Sequence, residues 1–282
     1  MSGLLRTGLG KVALGVVTVG LAAGGVVAAT ALSASGSSAA APVVDHFLCY
    51  GAHTSVPVGF TPPAAVQLIN QFSPNGFTAK IGSAIDAHCN PVQKTVYKTL
   101  TGPPVVTQIK NPNAHLLCWS FKAPPQLPHV VKVTNQFGTA DLKTGQPGAL
   151  CLPSWKSLTG PPKQPAAEPP GLSHFTCYPV SYDGTARFQI PAKVLVKDQF
   201  NPGAPVLVTV STLVDLCLPT TKIANGVTYP MVNSVTHLLC FNITKTPIKN
   251  PVWDKNQFGT GKVNLATPPE TLCLPSTKTI LH

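Results

Sequence analysis

Eight cysteines recur at regular intervals along this 282-residue chain, and they constrain its fold more than any other feature. Taken in order as four pairs, the two cysteines of each pair lie 40, 33, 40 and 33 residues apart. An even number of regularly spaced cysteines is typical of a disulfide framework in an exported protein. The alternation predicts four loops of two sizes, each closed by a bond of its own.

Matching sequence surrounds each pair and defines four repeats, which begin at His46, His115, His174 and His237. Each repeat opens with His-x-x-Cys-aromatic, passes through a Gln-Phe pair and closes with Cys-x-Pro-x-x-Lys. Since every repeat holds two cysteines, we expect the first to bond the second within each repeat. The predicted bonds are Cys49–Cys89, Cys118–Cys151, Cys177–Cys217 and Cys240–Cys273.

The repeats alternate between two types, A and B, which differ in the sequence after the Gln-Phe pair. The two A repeats continue with Ser73-Pro74 and Asn201-Pro202, and the two B repeats continue with Gly138-Thr139 and Gly259-Thr260. This order predicts a duplicated A-B pair, with a first unit over residues 42–160 and a second over residues 173–282. Residues 161–172 between them are rich in proline, which is typical of a stiff linker.

The local pattern favours strands. The chain holds 30 prolines and 23 glycines, which argues against a helical bundle, and β-branched runs such as residues 194–196 flank the Gln-Phe pairs. Cys49 shares a strand face with Phe47, and the equivalent residues of the other repeats are also large and apolar, so we expect this face to be core. We predict an all-β fold of two tandem disulfide-stapled units that resemble β-sandwiches, each built from an A-B pair of repeats.

Residues 1–41 differ from the rest of the chain. Arg6 and Lys11 precede an apolar run over residues 12–32, and small residues follow it. This order is typical of a secretory signal peptide, although a run of about 21 apolar residues is also long enough for an uncleaved membrane anchor. Either alternative predicts a protein that is secreted or at the cell surface, with membrane contact only through an uncleaved leader.

The chain is basic, with 20 Lys and Arg against nine Asp and Glu, and it stays basic without Arg6 and Lys11. The closing lysine of each repeat predicts either a row that contacts a cell-envelope or other anionic polymer, or a charged strand end that discourages edge pairing. These lysines are Lys94, Lys156, Lys222 and Lys278. No basic run interleaves with aromatic residues, so we expect no nucleic-acid partner.

Three other recurring features carry alternative interpretations. His-x-x-Cys suggests metal ligation, but residues three apart on a strand point to opposite faces, so we expect a strand-start histidine that bonds a neighbouring loop. The residue before Gln-Phe, such as Asn70, should bond the turn backbone while the Phe is buried. The aromatic after the first cysteine, such as Tyr50, either packs in the core or offers a stacking surface to carbohydrate. His88 does not recur in register and carries no prediction.

Catalytic motifs are missing from the sequence: there is no nucleophile elbow, zinc-protease motif, phosphate loop or dinucleotide fingerprint. Almost every distinctive residue occurs four times, whereas a reaction needs one asymmetric group of side chains. We therefore expect no catalytic, cofactor-binding or metal-binding residue. The expected function is a non-enzymatic extracellular or cell-surface protein with a structural, adhesive or ligand-display role. The alternatives are a carbohydrate or anionic-polymer binding module and, third, a secreted hydrolase.

Together, His-x-x-Cys-aromatic, Asn-Gln-Phe and Cys-x-Pro-x-x-Lys resemble the motifs of a family of exported prokaryotic domains of unknown function. The resemblance covers nearly all of residues 45–280. The first repeat departs from it at Cys89-Asn90-Pro91, where the other repeats have Cys-Leu-Pro. The resemblance implies an exported domain with paired cysteines and supplies no catalytic residue.

Overall fold

The computed structural model describes residues 44–55, 59–99, 101–244, 251–265 and 269–281. The leader predicted for residues 1–41 lies outside them. The described residues form strands and loops, so the all-β prediction is confirmed. In this described part of the chain, no helix has the length and apolar character needed to cross a membrane.

Sixteen strands occur in the described residues, and several of them are long enough to pair in one sheet near their start and in another near their end. In chain order they are β1 (His46–Ser55), β2 (Ala65–Asn70), β3 (Ser73–Tyr97), β4 (Val105–Thr107), β5 (His115–Lys122), β6 (Val130–Asn135), β7 (Gly138–Thr144), β8 (Ala149–Ser157), β9 (His174–Tyr182), β10 (Lys193–Lys197), β11 (Val206–Ala224), β12 (Val227–Tyr229), β13 (His237–Thr244), β14 (Pro251–Asn256), β15 (Gly259–Asn264) and β16 (Pro269–Ile280).

Eight strands carry one cysteine each, and these strands close into a ring. Their order around the ring is β1, β3, β5, β8, β9, β11, β13 and β16, and every neighbouring pair is antiparallel. The last strand, β16, pairs with β1 and so completes the ring. Because a closed sheet has no free edge, none of the eight described ring strands is an edge strand of the ring.

The four predicted disulfides are present, and each joins cysteines that lie directly opposite each other on adjacent ring strands. Neighbouring disulfides also touch: Cys49 Sγ lies 3.8 Å from Cys273 Sγ, and Cys151 Sγ lies 3.8 Å from Cys177 Sγ. Phe47 and its equivalents form one buried cluster with all eight cysteines, as predicted from the shared strand face. This cluster lies inside the ring.

Four hairpins pack on the outer face of the ring, one from each repeat, and their apolar residues form a second, larger core. They consist of β2 with the start of β3, β6 with β7, β10 with the start of β11, and β14 with β15. Each Gln-Phe pair lies at or next to a hairpin turn. In the first hairpin, the Phe72 backbone N–H donates to Asn70 Oδ1 at 2.9 Å, and the equivalent bonds of the other repeats measure 2.7, 3.1 and 2.8 Å. The predicted turn bonding is confirmed.

The hairpins join the two halves of the chain, which corrects the expected separation at residues 161–172. The hairpin strand β10 of the third repeat pairs with the end of β3 in the first, and β2 of the first pairs with the end of β11 in the third. The second and fourth repeats exchange strands in the same way, β14 with β8 and β6 with β16. A single repeat leaves a hairpin edge and a strand end unpaired, and the repeat two places away pairs with both. Residues 40–282 therefore form one compact unit instead of two separate sandwiches.

The proline-rich segment is also held to this unit. Glu168 Oε2 accepts a hydrogen bond from Gln257 Nε2 at 2.7 Å, and Lys255 Nζ donates to the Gln164 carbonyl. Leu172, at the end of the segment, is buried against the cysteine cluster. The prolines thus form a packed connection between β8 and β9.

Candidate functional site

A cavity of about 190 Å³ lies inside the ring. All eight cysteines line it, so four disulfides make up much of its wall. The opening strand of each repeat also contributes one large apolar residue to the wall, namely Phe47, Leu116, Phe175 and Leu238. Each disulfide links two adjacent strands, so covalent bonds cross-link four of the eight neighbouring strand pairs of the ring.

The two ends of this cavity differ. At one end the four large side chains are buried, and Val44, Ala114 and Leu172 pack in the same cluster, which closes this end. At the other end the wall residues are smaller or polar, as with Ala149 and Thr271. Glu270 is exposed there, so this end faces solvent.

Three acidic side chains line the solvent-facing end: Asp86, Asp215 and Glu270. Asp86 and Asp215 are partly exposed. Burial and, to a smaller extent, the nearby charge of Asp86 together raise the pKa of Asp215 to about 6. The whole chain has only nine acidic residues, so one third of them lie at this rim. No Lys, Arg or His is among the described residues that line the cavity.

The rim acids have a signal in the sequence, because they differ from the residues at the equivalent positions of other repeats. Asp215 precedes its cysteine by two residues, where the other repeats have Ala87, Ala149 and Thr271. Asp86 and Glu270 each precede their cysteine by three residues, where the other two repeats have Gly148 and Val214. The rim acids therefore depart from the repeat pattern, and an alignment of the four repeats identifies them as positions where one or two repeats differ from the others.

A second feature lies on the outer face of the same strands and consists of His88, Asn90, Lys156, Asp198 and Asp254, which we call the polar cluster. His88 Nε2 lies 2.8 Å from Asn90 Oδ1, and His88 Nδ1 lies 3.1 Å from Asp254 Oδ2. Asn90 Nδ2 donates to Asp198 Oδ2 at 2.9 Å, and Lys156 Nζ donates to Asn90 Oδ1 at 2.8 Å. His88, Asn90 and Asp254 are fully buried.

Burial and charge together set the proton affinities around the polar cluster. Burial lowers the pKa of Lys156 to about 8, although Asp198 and Asp254 act in the opposite direction. Burial raises the pKa of Tyr50, and so do the charge of Asp198 and the hydrogen bond of 2.7 Å that the Tyr50 hydroxyl donates to Asp198. Both ring nitrogens of His88 face oxygen atoms.

The polar cluster also replaces apolar residues of the repeat. His88 and Asn90 flank Cys89, where the other three repeats have leucine on both sides. Asp254 lies three residues before its Gln-Phe pair, where the other repeats have the buried residues Leu68, Val133 and Val196. His88 does not recur in register and Asn90 replaces a single leucine of the motif, yet these changes meet Asp254 at one place in the structure.

The recurring lysines do not form an exposed row. Each ammonium group lies over the Phe ring of the next repeat: Lys94 over Phe137 at 4.9 Å, Lys156 over Phe200 at 4.3 Å, Lys222 over Phe258 at 4.7 Å and Lys278 over Phe72 at 4.5 Å to the ring centroid. Lys94 and Lys222 are fully buried, and Lys156 and Lys278 are partly buried. Burial lowers the pKa of Lys94 to about 7. The lysines thus act as cation–π links between repeats.

The other recurring residues are also used in packing. The aromatics after the first cysteines, Tyr50, Trp119, Tyr178 and Phe241, are buried in the outer core and offer no stacking surface. The strand-start histidines are buried, and two of them reach neighbouring loops: His237 Nδ1 lies 2.9 Å from the Val235 carbonyl, and His174 Nε2 lies 3.2 Å from Glu168 Oε1.

Every cysteine is disulfide-bonded, and none supplies a thiolate. In the described ranges, no group of three or more His, Cys, Asp or Glu side chains is arranged to hold a metal ion. Comparison with family models, with curated proteins and with solved structures finds no match. The family resemblance therefore stays a prediction.

Proposed function

We propose that this chain is an exported, non-catalytic protein with a ligand-display role, and that it binds a small ligand in the ring cavity. The observation that carries the proposal is the cavity itself, with four disulfides in its wall and one end open to solvent. Packed protein interiors seldom leave spaces of this size unfilled, and the larger apolar pockets of a protein are usual places for ligands.

The cavity size sets the class of ligand. An engineered apolar cavity of about 150 Å³ in another protein takes up benzene, so a cavity of about 190 Å³ suits one aromatic ring or a compact aliphatic group. Fixed walls favour binding because little conformational entropy is lost when the ligand enters a pocket that is already formed. The ring thus offers a small, preformed apolar pocket.

Export is supported by the disulfides. All eight cysteines are paired, which is consistent with an oxidising environment outside the cytoplasm. Together with the leader-like sequence of residues 1–41, this pairing supports a secreted or cell-surface location.

Two arrangements favour ligand binding over the alternative functions. The polar cluster, which is the best candidate for acid–base chemistry, is buried on the outer face of the ring, on the side of β3 away from Cys89. The recurring lysines and aromatics, which suggested polymer or carbohydrate binding, lie over or among core aromatics. The ring cavity, in contrast, is open to solvent at one end and lined by four disulfides.

The test is a titration of the oxidised protein, purified after export, with the neutral probe benzyl alcohol. We expect saturable chemical-shift changes in the methyl groups of Leu116 and Leu238, which line the cavity. Ala149→Leu adds bulk inside the cavity and should weaken binding at least tenfold. The matched control, Ala167→Leu, adds the same bulk at an exposed site and should leave binding unchanged. Wild-type protein without saturable shifts at these two leucines contradicts the proposal.

A further inference from the structure

The four disulfides of the ring lie in two touching pairs. Cys273 Sγ lies 3.8 Å from Cys49 Sγ where β16 meets β1, and the two atoms belong to different disulfides. Cys151 Sγ lies 3.8 Å from Cys177 Sγ where β8 meets β9, and these atoms also belong to different disulfides. Each touching pair is therefore a row of four sulfur atoms, with a covalent bond at either end and a non-bonded contact in the middle.

Strand register produces these contacts. Phe47 lies opposite Cys273 on the neighbouring strand, so Cys49, two residues further along β1, is the diagonal neighbour of Cys273 on the same face. The same diagonal arrangement recurs between β8 and β9. Both contacts occur where the last strand of a B repeat meets the first strand of an A repeat. Each contact therefore joins two repeats, whereas each disulfide lies within one.

A touching pair can exchange bonds once one of its sulfur atoms is a thiolate. Disulfide exchange proceeds by attack of a thiolate on one disulfide sulfur, with the other sulfur as the leaving group. When the bond Cys240–Cys273 is reduced, the Cys273 thiolate is in contact with Cys49. Its attack forms the bond Cys49–Cys273, breaks the bond Cys49–Cys89 and leaves the electron pair on Cys89 as a thiolate.

A second step completes the transfer. Attack of the Cys240 thiolate on Cys273 restores the bond Cys240–Cys273 and releases Cys49 as a thiolate. The two reduced sulfur atoms are then Cys49 and Cys89. The two-electron reduction has thus moved from one disulfide to its neighbour, with the number of disulfide bonds unchanged.

The cavity gives a reductant access to both touching pairs. All eight cysteines line the cavity, one end of it faces solvent, and its volume of about 190 Å³ suits a small molecule. One thiolate of a small dithiol attacks a ring sulfur and forms a mixed disulfide, and the second thiol of the same molecule then displaces that bond. The dithiol becomes a cyclic disulfide, and its two electrons and two protons pass to a pair of ring cysteines.

We propose that the ring exchanges disulfides with a small dithiol in its cavity, and that each touching pair shares the two-electron reduction between its two disulfides. The partner is a compact reductant that carries two thiols. The exchange uses one ring disulfide for each dithiol that is oxidised. This inference goes beyond the proposed function, because a redox reaction of the cavity wall is separate from non-covalent binding inside the cavity.

The exchange step is tested in a variant with one free thiol, purified after export. Cys240→Ser leaves Cys273 as a thiol in contact with Cys49. At about pH 8, near the pKa of an ordinary thiol, we expect the free thiol at both Cys273 and Cys89. The molecules with a free Cys89 should carry the bond Cys49–Cys273. Rapid alkylation followed by non-reducing peptide mapping measures both populations.

The matched control is Cys273→Ser. It removes the same disulfide but leaves Cys240, the sulfur of that disulfide that is not in contact with Cys49. Its free thiol should stay at Cys240, with at least tenfold less exchanged bond than in Cys240→Ser.

Wild-type protein tests the whole reaction, including entry of the reductant. A limiting amount of dithiothreitol should give molecules with two thiols, some of which carry Cys49–Cys273 or Cys151–Cys177 in place of native bonds. Ala149→Leu adds bulk inside the cavity and should slow the reduction at least tenfold, whereas Ala167→Leu at an exposed site should leave its rate unchanged.

Three results overturn the inference. The first is a thiol that stays at Cys273 in Cys240→Ser, together with two-thiol wild-type molecules that carry only native bonds. The second is reduction at the same rate in wild type and Ala149→Leu, and the third is reduction of all four disulfides together without two-thiol molecules. Benzyl alcohol binding is measured on the oxidised protein, so these results leave the proposed function in place, and absence of that binding alone leaves the disulfide exchange in place.

Discussion

The buried contact between His88 and Asp254 offers a direct test of the polar cluster, because the other repeats have apolar residues at both positions. His88→Leu and Asp254→Val each restore a residue type found at the equivalent position of another repeat. Each single change leaves the other member of the pair fully buried without its partner. The double change removes both members and restores the apolar packing of the other repeats.

The expected magnitudes follow from the burial of the pair. A buried polar group that loses its partner costs about 1–3 kcal/mol, and more when it is charged, whereas replacement of both partners by apolar residues of similar shape is nearly neutral or stabilising. We expect each single variant to lose about 3 kcal/mol of unfolding free energy. The double variant should stay within about 1–2 kcal/mol of wild type, since Asn90 keeps Lys156 as a donor.

The assay is equilibrium unfolding in guanidinium chloride with the disulfides intact. For a denaturant slope of about 5 kcal/mol per M, a loss of about 3 kcal/mol moves the midpoint by about 0.6 M. The exposed pair of Lys132 and Asp141, at 2.7 Å, is the control, and its coupling energy should stay below about 1 kcal/mol. Single variants at His88 and Asp254 that cost less than about 1 kcal/mol, or whose effects simply add in the double variant, refute the reasoning.

Three further predictions follow from the packing. Neither half of the chain, residues 42–160 or residues 173–282, should unfold cooperatively when it is produced alone and followed by circular dichroism, because its hairpins lose their partner strands. Cooperative unfolding of either half contradicts the strand exchange between halves. Between about pH 7 and pH 10 the unfolding free energy should rise, because Lys94 and Lys222 have pKa values of about 7 and about 8 in the folded protein and lose their protons there before they do in the unfolded chain. Lys94→Met should reduce this rise, and a flat pH profile of wild-type stability contradicts the prediction. Below about pH 6.5 the unfolding free energy should fall, because His46 and His237 bind protons in the unfolded chain, whereas in the folded protein their pKa values are about 3 and about 4. His237→Gln should show a smaller fall, and an equal fall in wild type and variant contradicts the assignment.

Local features of the fold could be predicted because each is encoded within one repeat. The pairing of Cys49 with Cys89, the inward face shared with Phe47 and the turn bonded by Asn70 all depend on residues close in the repeat or on strand alternation. The closure of the ring could not be predicted in this way. Sheet curvature decides whether the end of β3 pairs with a hairpin of its own repeat or with a hairpin of another repeat. No local sequence pattern specifies this curvature.

The lysines show how recurrence can mislead. A charged residue that recurs at every strand end suggests an exposed surface, since lysine is seldom fully buried. Here recurrence has a different cause, because Lys94 lies over Phe137 and both residues come from the repeat motifs. The closing lysine of one repeat thus contacts the Phe of the Gln-Phe pair in the next repeat, and this contact explains why both motifs are present in every repeat.

The two departures from the repeat have opposite electrostatic effects. The polar cluster surrounds a lysine that is present in every repeat: Asp198 and Asp254 both favour the charged form of Lys156, so they offset part of its burial. At the solvent-facing end of the cavity, burial and the charge of Asp86 both raise the pKa of Asp215. The first departure therefore stabilises a charge that recurs in every repeat, whereas the second places like charges at the opening of the cavity.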